Sequence, residues 1–346
     1  MTQITSSTSI SLGLAGNIRE DLGNVIFNVT PFMTPFTSGI AQTRATADNH
    51  EWLTDTYADA VANNAAIEAV APIPSEAGST RLRLGNHIQI ADKTVTVTKK
   101  AEFMDRAGVP GKEMAYQLMK KGKELQMDVE KQALGAYGAN STKSPGTAIA
   151  AGVSGAFGAY IGTNQNNGGV AGAIANQGVG GAGIVFDGST VPTEGTATAA
   201  IEQSRMDSLL DGVWDNSGDI NSAKIMASAG VVSSLRNTLS GMATNADSVV
   251  SNLDANATSG GNIIARVAVY VSQFGPIAVV PNKHMPANTL YVVDYSTWGL
   301  AFAGGKKIHT TDIATQTSAE QKLLECYYTL EARSEEANAA YYAINA

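Results

Sequence analysis

The chain has 346 residues, long enough for two domains or one elaborated domain, and at 44% hydrophobic it can bury a core. Only 16% of residues are charged, well under the usual quarter, which suits a protein that hides much of its surface against other copies rather than a freely diffusing monomer. The net charge of −8 argues against general nucleic-acid binding, and the single cysteine, Cys326, excludes an internal disulfide and a CxxC metal pair.

The opening MTQITSSTSISLGLAGNIRE has no basic segment followed by a long apolar run, so it does not read as a secretory signal. No stretch of about 18 uninterrupted apolar residues occurs, so no membrane span is expected. A soluble protein made in the cytoplasm is the expectation. Next comes NVTPFMTPFTSGI, where Pro31 and Pro35 block helix and flank Phe32, Met33 and Phe36. The segment reads as an extended arm laid on another surface, because apolar groups this dense should not face water.

In HEWLTDTY, Trp52, Leu53 and Tyr57 stand among polar residues. The chain returns as TRLRLGNHIQIADKTVTVTKK, where Leu82, Leu84, Ile88, Ile90, Val95 and Val97 keep a period of two. The two limbs predict a long hairpin with a wide tip. An isolated two-stranded hairpin is marginal in water, so this one must lie on something.

VPGKEMAYQLMKKGKELQMDVEKQALGAYGA predicts the longest helix, of about 27 residues and about 40 Å. Pro110 opens it, Met114, Leu118, Leu125, Val129 and Ala133 form its apolar face, and Gly135, Gly138 and Asn140 stop it. Residues 81–131 hold 11 Lys/Arg against 7 Asp/Glu, while the rest of the chain holds 12 against 24. A salt-bridged helix face is the plain explanation of that local excess.

Residues 141–195 are rich in Gly, Ala and Asn and read as a surface insertion, a poor candidate for core. Regular structure then resumes. IEQSRMDSLLDGVW and AGVVSSLRNTL are amphipathic helices, the second with Val231, Leu235 and Leu239 on one face. KIMAS, RVAVYVSQFGPIAVVPN and TLYVVD predict strands whose apolar runs mean burial on both faces. The tail is expected to form a hairpin, ECYYTLEA and AAYYAI joined by SEEAN.

No catalytic constellation emerges. GVGGAG at 178–183 matches a dinucleotide fingerprint but lacks the strand before and helix after that the chemistry needs. GVSGA at 152–156 ends in Ala156, so it is not a nucleophile elbow. A calcium loop counted from Asp215 fails, with Ile220 at its sixth position and Met226 at its twelfth. His50, His87, His284 and His309 are scattered, and Cys326 has no cationic neighbour in sequence to activate it. No catalytic residue, cofactor or metal ligand is expected.

The order of segments carries more than any motif. A Pro-broken arm, a long β excursion, a long helix, a Gly-rich insertion, an α/β region and terminal strands resemble the major capsid protein of tailed bacteriophages, the Hong Kong 97-type fold. The matching stretches are NVTPFMTPFTSGI, EWLTDTY, TRLRLGNHIQIADKTVTVT, VVPNKHMPANTLYVVDYSTWGLAFAGG and YYTLEARSEEANAAYYAIN. The resemblance implies an α+β chain with an N-terminal arm (1–50), an extended loop (51–100) and a peripheral domain with its spine helix (101–140). The insertion (141–195), an axial domain (196–310) and a return to the peripheral domain (311–346) follow. It implies self-assembly through pentamers and hexamers into an icosahedral head that encloses double-stranded DNA without sequence-specific binding. A portal, a decoration protein and a separate scaffolding protein would be partners, since only about 20 residues precede Asp21. Phe32, Phe36, Trp52, Tyr57, Arg81 and Arg83 would make contacts between subunits. No Lys lies between Arg44 and Lys93, so the covalent crosslinking that some relatives perform from the extended loop is not expected. A cellular nanocompartment shell and a non-enzymatic surface binding module are the alternatives.

Overall fold

The computed structural model describes residues 33–57, 60, 62, 81–104, 111–135, 141–166, 174–175, 187–189, 193–194, 198–217, 219–220, 222–242, 269–314 and 317–345. Pro31, Phe32, Pro110, Gly138, Asn140, the GVGGAG stretch, most of the loop tip and the side chain of Leu239 lie outside them.

In chain order, α1 (Pro35–Gly39) opens with its proline at the first position, where a missing N–H costs nothing. β1 (Ala41–Ala45), β2 (Asn49–Thr54), β3 (Leu82–His87) and β4 (Gln89–Thr98) follow. The Thr98 hydroxyl accepts from the Ala101 N–H at 3.3 Å and so caps α2 (Lys99–Phe103). α3 (Glu113–Ala133) is the long helix, 21 residues rather than about 27. Short strands β5 (Gln165–Asn166), β6 (Ile174–Ala175) and β7 (Thr193–Glu194) precede α4 (Gln203–Ser217), β8 (Ala223–Ala227) and α5 (Ala229–Met242). β9 (Val269–Ser272), β10 (Gly275–Pro281), β11 (Leu290–Asp294), β12 (Trp298–Ala303), β13 (His309–Ile313), β14 (Ala319–Ala332) and β15 (Ala339–Tyr341) complete the chain.

Two main sheets organise these elements. In the first, the long β14 is central: β4 pairs along one edge, while β12 and β13 share the other and β1 joins β12 in parallel. The alternation in β4 turns Val95 and Val97 inward and leaves Thr94, Thr96 and Thr98 in solvent. The inward face, with Leu324, Cys326, Tyr328 and Leu330 of β14, meets Leu125 and Val129 of α3 in one core. The second sheet runs β5-β15-β11-β8-β10-β9. Its central strands are apolar throughout because both faces are covered. Ile225, Leu290, Val292 and Tyr341 pack with Met206, Leu210 and Val231 of α4 and α5, while Met226, Tyr291, Val293 and Tyr342 join the core of the first sheet.

Three expectations are corrected. The long hairpin is short among the described residues: Asn49–Thr54 pairs only with Leu82–His87, and β4 pairs with β14 instead, from Thr98 opposite Ala319 to Gln89 opposite Tyr328. Val95 and Val97 need the cover of α3, which a detached ribbon would not give them. The two tail strands form, but not as a hairpin, since β15 pairs with β11 and β5 while β14 stays in the first sheet. Part of the Gly-rich stretch is core. Phe157, Ala159, Tyr160 and Ile161 are fully buried, and Phe157 stacks on Trp298 at 4.5 Å and lies 4.3 Å from Tyr291, joining the two sheets. Glycine and alanine around them let the backbone approach closely. β12 and β13 belong to the first sheet, and β15 belongs to the second.

Candidate assembly surface

The β2–β3 ribbon has two unlike faces. Opposite residues in an antiparallel pair share a face. Trp52 with Leu84, and His50 with Asn86, therefore turn one way, and Leu53 with Arg83 and Glu51 with Gly85 turn the other. The first face is fastened to the body. Trp52 packs on the ring of Tyr160 at 6.0 Å, and the Tyr160 hydroxyl donates to the Gly85 carbonyl at 3.1 Å. Burial pushes the Tyr160 phenol far above its ordinary range, with the Asp187 carboxylate adding to the shift, so it stays a donor.

Asn86 is the main anchor. Its side chain is fully buried. Its amide nitrogen donates to Ser154 Oγ at 3.1 Å, the Gly155 carbonyl at 3.2 Å and the Leu330 carbonyl at 2.7 Å. Its oxygen accepts from the Gly155 N–H at 2.8 Å. Beside it, Glu331 accepts from the Thr43 hydroxyl and from Arg333 Nε, each at 3.1 Å, and lies 3.6 Å from His50 Nε2. Burial raises the Glu331 pKa, but Arg333, Thr43 and His50 together overcome it and hold the carboxyl below its usual range.

The second face and the tip are bare. Tyr57 is fully exposed and Leu53 is 64% exposed, and at the far end of the first face Leu82, opposite Thr54, is 40% exposed. Arg83 pairs with Glu51 and Arg81 with Asp55, the latter at 3.5 Å, both in the open. Such exposed pairs contribute little to stability, so they dress the ribbon rather than hold it. Further large apolar groups stand in solvent at Phe103, Met104, Met119 and Ile90.

Of the six residues expected at contacts between subunits, Tyr57, Arg81 and Arg83 are on this open surface. Trp52 faces the chain's own body, and Phe32 lies outside the described residues. Phe36 is a correction: it is fully buried within the chain, edge-on to Phe157 at 6.0 Å and Trp298 at 6.1 Å. The reason is Glu130 of α3, whose carboxyl oxygens accept from the Phe36 and Thr37 N–H groups at 2.9 and 2.8 Å and from Asn282 Nδ2 at 2.7 Å. That knot ties α1 inward. Sequence reading missed Leu53 and Leu82 as surface candidates, and missed Asn86, Glu130 and Glu331. Asn86 had one signal: it occupies the position after Leu82 and Leu84 where the period of two calls for an apolar side chain.

The described residues hold no cluster of three or more His, Cys, Asp or Glu side chains placed to bind a metal. Burial pushes the Cys326 thiol up to about 12, so it is not a nucleophile at neutral pH. No helix among the described residues is long and apolar enough to cross a membrane.

The family model for the SU10 major capsid protein matches residues 2–345. The chain belongs to that family. This capsid protein is 34% identical over 113 residues to the major capsid protein of Escherichia phage Phieco32, an alignment spanning 33% of this chain and only 32% of that relative. Its fold is shared much more widely than its sequence. The Cyanophage A-1(L) capsid asymmetric unit superposes with a TM-score of 0.61 at 12% identity, covering 99% of this chain and 100% of that one. The holo-SrpI encapsulin complex from Synechococcus elongatus PCC 7942 gives 0.51 at 9% identity over 92% of each chain. The expected kinship with phage major capsid proteins thus holds, and a structural, virion-borne role follows from the family.

Proposed function

We propose that this capsid protein assembles through pentamers and hexamers into an icosahedral head that encloses double-stranded DNA. The observation that carries the reading is the ribbon, pinned to its own body by Asn86 and Trp52 on one face while Leu53, Tyr57 and Leu82 stand uncovered at its far end. Apolar groups in that position are stabilised when a neighbouring subunit covers them. In Hong Kong 97-type terms, Asn49–His87 is the extended loop, α3 the spine helix, the first sheet the peripheral layer and the second sheet the axial layer. Obligate contacts of this kind bury about 2,000–5,000 Å² each, and symmetry then closes the shell. Phe32, Trp52, Tyr57, Arg81 and Arg83 remain proposed at or near those contacts.

Assembly in the host cytoplasm with a scaffolding protein, a portal and a decoration protein belongs to the same reading. The extended loop has no lysine, so particles boiled in detergent should run as one band, and a ladder would contradict this. A nanocompartment shell is the second reading, favoured by the likeness to the encapsulin fold. The match to a phage capsid family along the whole chain weighs against it. Negative-stain electron microscopy of the concentrated protein, with light scattering beside it, tests the proposal. Capsomers or closed shells are expected, and a monomer under every salt, pH and scaffold condition would overturn it.

A further inference from the structure

The outward stripe of α3 carries charge that no ion pair among the described residues neutralises. Lys112, at the helix N-cap, and Lys120, Lys123 and Lys131 are all exposed. At 3.6 residues per turn they fall within an arc of about 100°, along about 28 Å of axis, opposite the Met114, Leu125 and Val129 face. Lys99 and Lys100 of α2, also exposed, extend the basic surface beyond the helix.

The acidic side chains of α3 itself are committed elsewhere. Asp128 pairs with Lys93 at 2.6 Å and Glu124 with Lys121 at 2.6 Å, on the flank toward β4. Glu113 accepts from Gln117 at 2.7 Å, and Glu130 is buried under α1. The sequence-level explanation, a salt-bridged helix face, therefore accounts for Lys93 and Lys121. It does not account for these six, none of which forms an ion pair among the described residues.

We infer that the lysine stripe of α3, with the two lysines of α2, is a contact surface for the phosphate backbone of double-stranded DNA. A line of flexible point charges, without arginine forks, follows a regular polyanion without reading its sequence. A groove lined by Thr94, Val97, Gln117 and Lys121 lies on the β4 flank and not between the lysines. A peptide partner would need such a pocket for its anchors. The chain's overall charge of −8 keeps the rest of the wall from holding the duplex. The inference rests on the capsid reading, which supplies the DNA.

The test is fluorescence anisotropy of a labelled 25-base-pair duplex titrated with the unassembled full chain over a range of salt. Six lysine–phosphate contacts give a slope of log K against log salt of about −5. Replacing Lys112, Lys120, Lys123 and Lys131 together with Gln should reduce it to about −2, while Arg at all four should restore it. Gln at Lys306, exposed on the turn after β12, should change nothing. Electron microscopy of the same proteins separates the two claims. Shells from the Gln variant with the reduced slope support the inference. No duplex binding by the wild type, an unchanged slope in the Gln variant, or tighter binding of poly-glutamate than of duplex would overturn it and leave the capsid reading standing. Absence of shells from every protein, the wild type included, would count against the capsid reading itself.

Discussion

Replacing Asn86 with Ala should loosen the β2–β3 ribbon without disturbing the two sheets. The Asn86 amide has two hydrogens and three carbonyl or hydroxyl acceptors within 3.2 Å, so one hydrogen is shared, and its oxygen serves the Gly155 N–H. Losing the bonds made by its two hydrogens costs about 1 kcal/mol each, and leaving the buried Gly155 N–H without a partner adds about 1–3 kcal/mol. The sum is about 3–5 kcal/mol, a factor of about 150 to 5,000 in the opening equilibrium. Hydrogen exchange on the unassembled chain reads this directly. Amides of Asn49–Thr54 and Leu82–His87 should exchange faster by about that factor, while those of β11 and β8 keep their protection. Asn86→Asp keeps the acceptor for Gly155 but turns oxygen toward the Ser154 and Leu330 acceptors, and should be at least as damaging. Wild-type exchange across both strands in the Ala variant would refute the assignment of Asn86 as the anchor.

Three other perturbations probe the body. Glu130→Gln weakens the three bonds that hold Phe36, Thr37 and Asn282, and should lower stability by about 1–3 kcal/mol in urea unfolding, with early protease cleavage near α1. Phe157→Ala removes a ring buried between Trp298 and Tyr291, and should cost about 3–5 kcal/mol in urea unfolding; an unchanged unfolding midpoint would refute its place in the core. Burial raises the Cys326 thiol from 9.0 to about 12, so the folded state disfavours the thiolate. The stability this contributes is complete below about pH 9 and declines as pH rises toward 12, and a thiol reagent at pH 8 should react only after unfolding.

The readable parts of this fold were those in which local pattern and burial agree. α3 reads directly because its apolar residues repeat at the helical period and its opposite face is charged. β8 and β11 read as doubly buried strands because both faces of the second sheet are covered by apolar layers. Pairing was harder. Period two marks β4 and β14 as strands but carries no sign that they meet across more than two hundred residues of chain, so the sequence predicts shorter-range hairpins instead. Phe157 and Tyr160 were hidden by their glycine and alanine neighbours, whose small size is what lets the two sheets close on them. Exposure on the candidate assembly surface follows the sequence for some residues and not for others. Tyr57, Arg81 and Arg83 lie in the open, but Phe36 was assigned outward because its partner, Glu130, stands 94 residues away on another element.

The most direct measurement is a cryo-electron-microscopy reconstruction of particles assembled from the purified chain. The account expects pentamers and hexamers in a closed shell, with the β2–β3 ribbon lying on a neighbouring subunit and Leu53, Tyr57 and Leu82 buried there. A closed shell that leaves those three side chains in solvent would contradict the role given to the ribbon. A chain that stays monomeric under all conditions would contradict the account as a whole.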